Sequence, residues 1–561
     1  MRTLNYEADL CVVGGGLAGL CTAVAAARGG IKTVLVQDRP VLGGNASSEI
    51  RMWICGAHGT DNRETGILEE MVLKNFYRNP YLNYYLWDTV LYETAMLEPN
   101  IKLLLNSSCL DAEMDGNKIV SIKAWQSNAE SYHVVKAKYF ADCSGDSILS
   151  TLTGAEFRQG REAKSEYGET IPPDVADSKT MGMSCLMQSR ETTSKTEFIP
   201  PKWAYRYDDP KTLENRTKSA QSNFWWLEYG GEKDCVHDTD ECREELLKIA
   251  LGVWDFMKRN PEFGGDNWNL DWIGFLPGKR ESRRYIGKHV ITENDVRAEG
   301  RFHDIVAYAG WSMDDHFPEG FYYKGGHPTI YHSAPSPWGI PLRALISKNI
   351  ENLVFAGRNI SVTHAALSSC RVMGSCALMG QAIGTAVAQA VKDGVAVEDV
   401  DIAKLQQKLM ADDCYIPWHD REVPELTKSA KVNCEVVRNG KDRGEGNLWI
   451  GKSGEYLEYT FDADTRVENI RLVFDSDLNR TYHNMPANYP LNQKIGLPGT
   501  LVREYIIEAE DSLGNIERFK VEDNHCRLAN HKVDFVAKRV RLIPVSTWGN
   551  EEYRVFDFEL S

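Results

Sequence analysis

The chain has 561 residues, 42% of them hydrophobic and 26% charged, a globular composition long enough for about three domains. No uninterrupted apolar run reaches the roughly 18 residues a membrane span needs, and a formal charge of −16 repels nucleic-acid phosphates and anionic lipid at long range. Its 13 Cys are scattered without a CxxC pair, so neither a zinc site nor a disulfide framework is expected.

The N-terminal MRTLNYEADLCVVGGG runs straight toward a strand, with no charged leader, apolar core and cleavage site. As given, the chain reads as cytoplasmic, or periplasmic if a leader has been removed. Residues 8 to 36 then form a strand, a glycine turn, a small-residue helix and a second strand, the opening of a doubly wound sheet. Gly14-Gly15-Gly16-Leu17-Ala18-Gly19 matches GxGxxG in the right context, directly after a strand and opening a helix. Gly14 permits the tight turn, Gly16 lets backbone N–H groups approach a pyrophosphate, and Gly19 lets helix and strand pack closely. A dinucleotide is indicated, against the plainer possibility of a chance glycine-rich turn. The acidic ribose ligand expected about 20 residues on is replaced by Gln37, followed by Asp38 and Arg39. Either Gln37 bonds the ribose as an amide or Asp38 takes the role, and Arg39 is placed to meet a phosphate.

Between 101 and 141 the alternating runs IKLLLNSSCLDAEMD, KIVSIKAW and SYHVVKAKYFADCSG predict strands, with a turn at Asp115-Gly116. From 160 to 280 the chain is rich in Trp (Trp203, Trp225, Trp226, Trp254, Trp268, Trp272), which predicts an inserted domain over the cofactor, or simply an aromatic core. The stretch 351 to 392 returns to nucleotide-fold character, with strand ENLVFAG and one long helix from about His364 to Val391. Past 430, short alternating strands (EYLEYTF, NIRLVF, EYIIEAED, RVRLIPV, YRVFDFEL) predict a β-sandwich of about 130 residues.

Four blocks extend the dinucleotide reading: GGGLAGL with QDRPVLGGNASSEIR (14 to 51), FADCSGDS (140 to 147), PGKRESRRYIGKHVITENDV (277 to 296) and NLVFAGRNISVTHAALSSCRVMGSCALMGQAIG (352 to 384). Over residues 1 to about 400 the chain resembles the FAD-dependent oxidoreductases of the glutathione-reductase-like superfamily, particularly a bacterial group. The resemblance implies an α/β, Rossmann-like FAD-binding fold that is discontinuous in sequence, with FAD as cofactor. Its expected parts are 1–160 and 291–425 for FAD, 161–290 as an inserted α+β substrate or cap domain, and 430–561 as a sandwich that resembles galactose-binding modules. It implies Gly43, Gly44, Asn45, Ser47 and Ser48 around the pyrophosphate and flavin edge, and Cys109 touching adenine through its backbone. Asp142 and Gly145 would close the adenine side with Asp146 close by, and Gly357 and Arg358 would lie along the ribityl chain.

No second GxGxxG follows a strand, so the expected chemistry is oxidation of a substrate by the flavin, with an electron acceptor the sequence leaves unknown. His364 is the first choice of base, because imidazole titrates near working pH; the plainer alternative is a helix-terminal His that only hydrogen-bonds. His332 is a further candidate, from the His-, Asp- and Tyr-rich stretch that also holds Asp314, Asp315, His316 and His327. Arg283, with Arg280 and Arg284, would stabilise reduced flavin or hold a carboxylate, unless the run is merely solvated. Cys55 and His58 follow the pyrophosphate loop. No metal is expected. The Trp-rich stretch and the tail point to a small-molecule, carbohydrate-like substrate oxidised at CH–OH by hydride transfer; the alternatives are a redox-neutral flavoenzyme that cleaves glycosides, or a glycan-binding protein with a relic flavin fold. A homo-oligomer is left open.

Overall fold

The strand β1 (Arg2–Val13) alternates exposed and half-buried residues over its first half and then ends in four buried ones, Leu10 to Val13, which marks it as entering the centre of a sheet. In the computed structural model, which describes residues 1–488 and 494–561, β1 pairs in parallel with β2 (Thr33–Val36) and β6 (Ser131–Asp142), and β2 with β3 (Ile101–Leu104). The antiparallel hairpin β4 (Ser107–Asp115) and β5 (Lys118–Gln126) extends the β6 side, turning at Asp115-Gly116 as the sequence predicts. Beyond the reach of β5, β6 takes a distant partner: Leu353–Phe355 runs parallel to it in the register Leu353↔Phe140, Val354↔Ala141, Phe355↔Asp142. The expected discontinuous α/β fold is therefore present, and this pairing carries Gly357 and Arg358 to the end of β6.

The helix α1 (Leu17–Arg28), which connects β1 to β2, lies against the helix Met373–Asp393 so closely that a Cβ at Gly380 would come 2.1 Å from the Ala18 carbonyl oxygen. Only glycine fits there. The single helix expected from His364 to Val391 is two, His364–Cys370 and Met373–Asp393. The break falls at Val372, whose ψ of 146° is extended, and beyond it the Gly374 N–H bonds the Cys55 carbonyl at 2.8 Å. This break also separates Cys370 from Cys376.

The chain divides into two compact units. One comprises Met1–His58, Tyr81–Leu405 and Tyr482–Lys494; the other comprises Gly59–Pro80, Gln406–Thr481 and Ile495–Ser561. Residues 161–290 thus lie within the first unit, and 59–80, placed by sequence in the first FAD-binding part, lie in the second. In the Trp-rich stretch, Trp226, Trp254 and Trp268 are buried in one core with Phe224, Phe256 and the helix Thr239–Arg259, whereas Trp203 is 51% exposed. For those three Trp the aromatic-core reading applies.

The second unit is built on an antiparallel sheet in the order Trp449–Gly451, Tyr553–Leu560, Leu457–Phe474, Leu528–Thr547, Val502–Glu510, Ile516–Val521. EYLEYTF and NIRLVF, expected as two strands, are one strand, Leu457–Phe474. Both halves pair with the same neighbour, and the polar Asp462-Ala463-Asp464 lies where the register shifts, between Thr460 and Thr465. A polar letter pattern inside a strand reads as a turn although here it is a bulge. Arg421 is held by Asp557 at 2.7 Å and by Glu559, and Arg471 by Asp557 and Asp442, both at 2.7 Å. Arg421→Met is expected to destabilise this unit by ~3–5 kcal/mol, because it leaves Glu559 and Asp557 buried with too little positive charge. Urea unfolding checks this; an unchanged midpoint would refute it. Among the described residues no helix is long and apolar enough to cross a membrane.

Candidate active site

Gly14, with φ +100°, turns the chain from β1 into α1, and a Cβ there would come 2.5 Å from Ser144 Cα. The turn therefore lies directly against the end of β6. Gly19 packs on Gly14, Gly16 bridges Gly43, and the Gly43 N–H bonds the Gly15 carbonyl at 2.8 Å. The Gln37 amide is committed at both ends: its Oε1 accepts from the Gly15 N–H at 2.7 Å and its Nε2 donates to the Val41 carbonyl at 3.0 Å. Asp38 keeps a side chain 58% exposed, and Arg39 is 3.9 Å from both Asp38 and Glu49. Around the loop, Asn45 Nδ2 donates to the Lys279 carbonyl, Ser47 Oγ to that of Gly44, and the Ser48 N–H to Asp88. Asp142 is a clasp: Ser144, the Leu149 N–H and the Tyr285 hydroxyl all donate to its carboxylate. Gly145 touches the Arg358 guanidinium, and Asp146 sits 2.8 Å from both Arg358 and Lys279. Burial opposes ionisation of Asp146, but those two cations outweigh it and bring its pKa down to about 2. Cys109, on β4, is pushed up to about 12, chiefly by burial, and is a neutral thiol. The residues fit a dinucleotide. Glycines line a turn that side chains would fill, the positive groups Arg358 and Lys279 stand by it, and Arg39 Nη1 and Arg358 Nε are buried donors without hydrogen-bond acceptors. Such a setting suits a pyrophosphate.

The segment running through Lys279 leads from this cradle to a cluster of acids and imidazoles. Two residues after Lys279, about 7 Å along an extended chain, Glu281 meets His364. The strand Met313–His316, paired with Thr329–His332, supplies the rest; side chains alternate across it, so Asp314 and His316 face one way and Asp315 the other. On Asp315's side, His364 Nε2 lies 3.1 Å from Asp315 and Nδ1 2.9 Å from Glu281. Arg284 bridges Glu281 at 3.3 Å and Glu162 at 2.9 Å, and Glu162 accepts the His364 backbone N–H. On the other side, His316 Nδ1 bonds Glu228 at 2.8 Å, while Nε2 lies 3.3 Å from Asp314 without forming a hydrogen bond. Arg280 stands 3.3 Å from Glu228, and Arg371 3.2 Å from Asp314.

Burial alone would depress the pKa of His364, but Glu281 and Asp315 raise it to about 10. It is an imidazolium with both nitrogens engaged, which does not fit the proton-accepting role expected for it. His332 ends the paired strand opposite Met313. Arg283 extends instead toward His237, 3.5 Å away, and over the Phe157 ring, so of this arginine run Arg280 and Arg284 reach the cluster. His58 packs its ring 4.3 Å from Trp311. Glu162, Glu228, Glu281 and Arg371 were not singled out by sequence; Glu281 and Arg371 lie inside the quoted blocks, while Glu228 carried no signal.

A discontinuous Rossmann-like sheet, a glycine cradle at its carboxyl end and an adjoining acid–imidazole cluster define a flavin-dependent redox enzyme. The profile of the FAD dependent oxidoreductase family matches residues 9–409. The chain belongs to that family, and its cofactor is FAD. Among solved structures it is similar to a geranylgeranyl bacteriochlorophyll reductase-like protein from Thermoplasma acidophilum (12% identity, TM-score 0.32, covering 73% of this chain and 85% of that one). It is also similar to 3-ketosteroid-delta4-(5alpha)-dehydrogenase from Rhodococcus jostii RHA1 (13%, 0.29, 68% and 97%), and to the family 32 carbohydrate-binding module from Streptococcus pneumoniae EndoD (12%, 0.19, 24% and 94%). A search of curated proteins found no match.

Proposed function

We propose that this enzyme is a dehydrogenase or oxidase that removes hydride from a CH–OH group of a carbohydrate or glycoside. The observation that carries the reading is the strand Met313–His316, which sets the Asp314 carboxylate and the His316 imidazole among Arg280, Arg371 and the rings of Trp225 and Trp311. Carboxylates and guanidinium groups bond hydroxyls in both directions, and aromatic rings cover the apolar face of a sugar. The bound FAD supplies the two-electron acceptor. Gly14, Gly16, Gly43 and Gly44 hold its pyrophosphate, Arg39 and Arg358 meet its negative charge, and Asp38 takes the ribose, since the Gln37 amide braces the turn. The second unit serves as a galactose-binding-like module that delivers glycan.

The test is the visible spectrum of the purified protein, followed by anaerobic addition of monosaccharides and glycosides while the flavin band near about 450 nm is watched. Bleaching by one sugar class is the expected result. A yellow protein that reacts only with amines or carboxylates would overturn the carbohydrate reading, and bleaching that reverses without oxygen would mark a redox-neutral cycle.

A further inference from the structure

We infer that Asp314, His316 and Arg371 form the hydroxyl-binding subsite of this enzyme, with His316 Nε2 accepting the hydroxyl proton and Glu228 positioning the ring. The inference rests on the reading that the substrate is a carbinol. Two buried imidazoles, His316 and His364, are each flanked by carboxylates, and what separates them is how those charges are already met. Asp315 has His364 as its ion-pair partner, and Glu281 shares Arg284 with Glu162. That cluster is short of positive charge and keeps its imidazole protonated. At His316 each carboxylate has its own guanidinium, Arg280 for Glu228 and Arg371 for Asp314. Two carboxylates there balance two cations.

Glu228 engages Nδ1 of the ring at 2.8 Å, so Nε2 is the ring nitrogen left for a substrate hydroxyl. His316 Nε2, Asp314 Oδ1 and Arg371 Nε are all buried without hydrogen-bond partners. Buried polar atoms are rarely left so, because each costs the desolvation it has already undergone. Two neighbouring hydroxyls satisfy all three: one donates to His316, and the other donates to Asp314 and accepts from Arg371. The surroundings suit a sugar ring: Trp225 lies edge-on to His316 with centroids 6.2 Å apart, Trp311 Nε1 is 3.5 Å from Asp314, and Tyr331, opposite Asp314 on the paired strand, is 54% exposed. With its charges balanced, the subsite favours a neutral diol over an anion. In the step itself the O–H proton would pass to His316 Nε2 as the carbinol becomes a carbonyl, and FAD, when bound, would supply the two-electron acceptor for the hydride that leaves the carbon.

The experiment uses the FAD-loaded full chain and the methyl glycosides of glucose, galactose, mannose and xylose as probes. Anaerobic flavin bleaching is followed in wild type, His316→Gln, Asp314→Asn and Glu228→Gln, with the flavin spectrum certifying that each variant is folded and loaded. In parallel, nitrogen-15 NMR of labelled histidine reads the protonation of the His316 ring at neutral pH. His316→Gln is expected to slow bleaching by about a hundredfold or more with little change in half-saturating sugar. Asp314→Asn is expected to raise the half-saturating concentration by about tenfold or more, and the ring to carry one proton, on Nδ1. Glu228→Gln is expected to shift that proton's resonance and the pH profile of bleaching. Wild-type bleaching by flavin-loaded His316→Gln, or a doubly protonated His316 ring at neutral pH, would overturn the inference. If no glycoside reduces the wild-type flavin, the carbohydrate reading falls, and the NMR result decides His316 alone: one proton on Nδ1 supports its part as acceptor, two remove it.

Discussion

Replacing His364 by Ala is expected to destabilise the first unit by ~3–5 kcal/mol, among the largest single-residue effects in this protein. The imidazolium is buried between Glu281 and Asp315, and removing one partner of a buried ion pair leaves the others desolvated and uncompensated. The loss depends on pH in a stated direction. The folded pKa of about 10 lies above the ordinary 6.5, so the contribution is complete below about pH 6.5 and is lost as pH rises through about 10. The lowered pKa of Asp315, where burial is outweighed by His364, is the same interaction seen from its other end, present above the ordinary carboxylate range and lost as pH falls. Urea midpoints of wild type and variant, compared at pH 6 and pH 10, should differ widely at the lower pH and converge at the higher. Equal midpoints at pH 6 would mean that His364 is not charged in the folded protein.

Gly14→Ala is expected to yield protein without flavin. At φ +100° a Cβ is strained, and it would sit 2.5 Å from the Ser144 backbone, which no rotamer change relieves. Either the turn opens or the end of β6 moves, and both take apart the cradle. Gly16→Ala provides the contrast: its nearest neighbour would be Gly44 Cα at 4.0 Å, with ordinary backbone angles. That variant should fold normally and lose FAD affinity alone, because its methyl group occupies the space through which backbone N–H groups reach the pyrophosphate. The ratio of flavin to protein absorbance, with an unfolding curve for each variant, separates the two. A fully flavinated Gly14→Ala protein would show that the turn tolerates a side chain there.

What the sequence determined by itself is local or carried by contiguous blocks. The strand–turn–helix around Gly14 is legible because backbone geometry and glycine placement share one short stretch. The alternation of β4 to β6 is legible because one buried face imposes a period of two. The return of the nucleotide fold near 353 is legible because that strand, entirely buried, must be apolar throughout. The helix break at Val372 and the single strand Leu457–Phe474 were not, since the first goes with a hydrogen bond from Gly374 to Cys55 and the second with a pairing partner 55 to 85 residues away. The histidines show the division best. Sequence placed both His316 and His364 among the candidates, but the charged groups that surround the two rings include Glu281, Glu228 and Arg371. These stand 83 residues from His364, 88 from His316 and 57 from Asp314, respectively. Only tertiary packing brings them within 3.5 Å, and at that range in a poorly solvated interior the neighbouring charges, rather than the imidazole itself, decide where the proton resides.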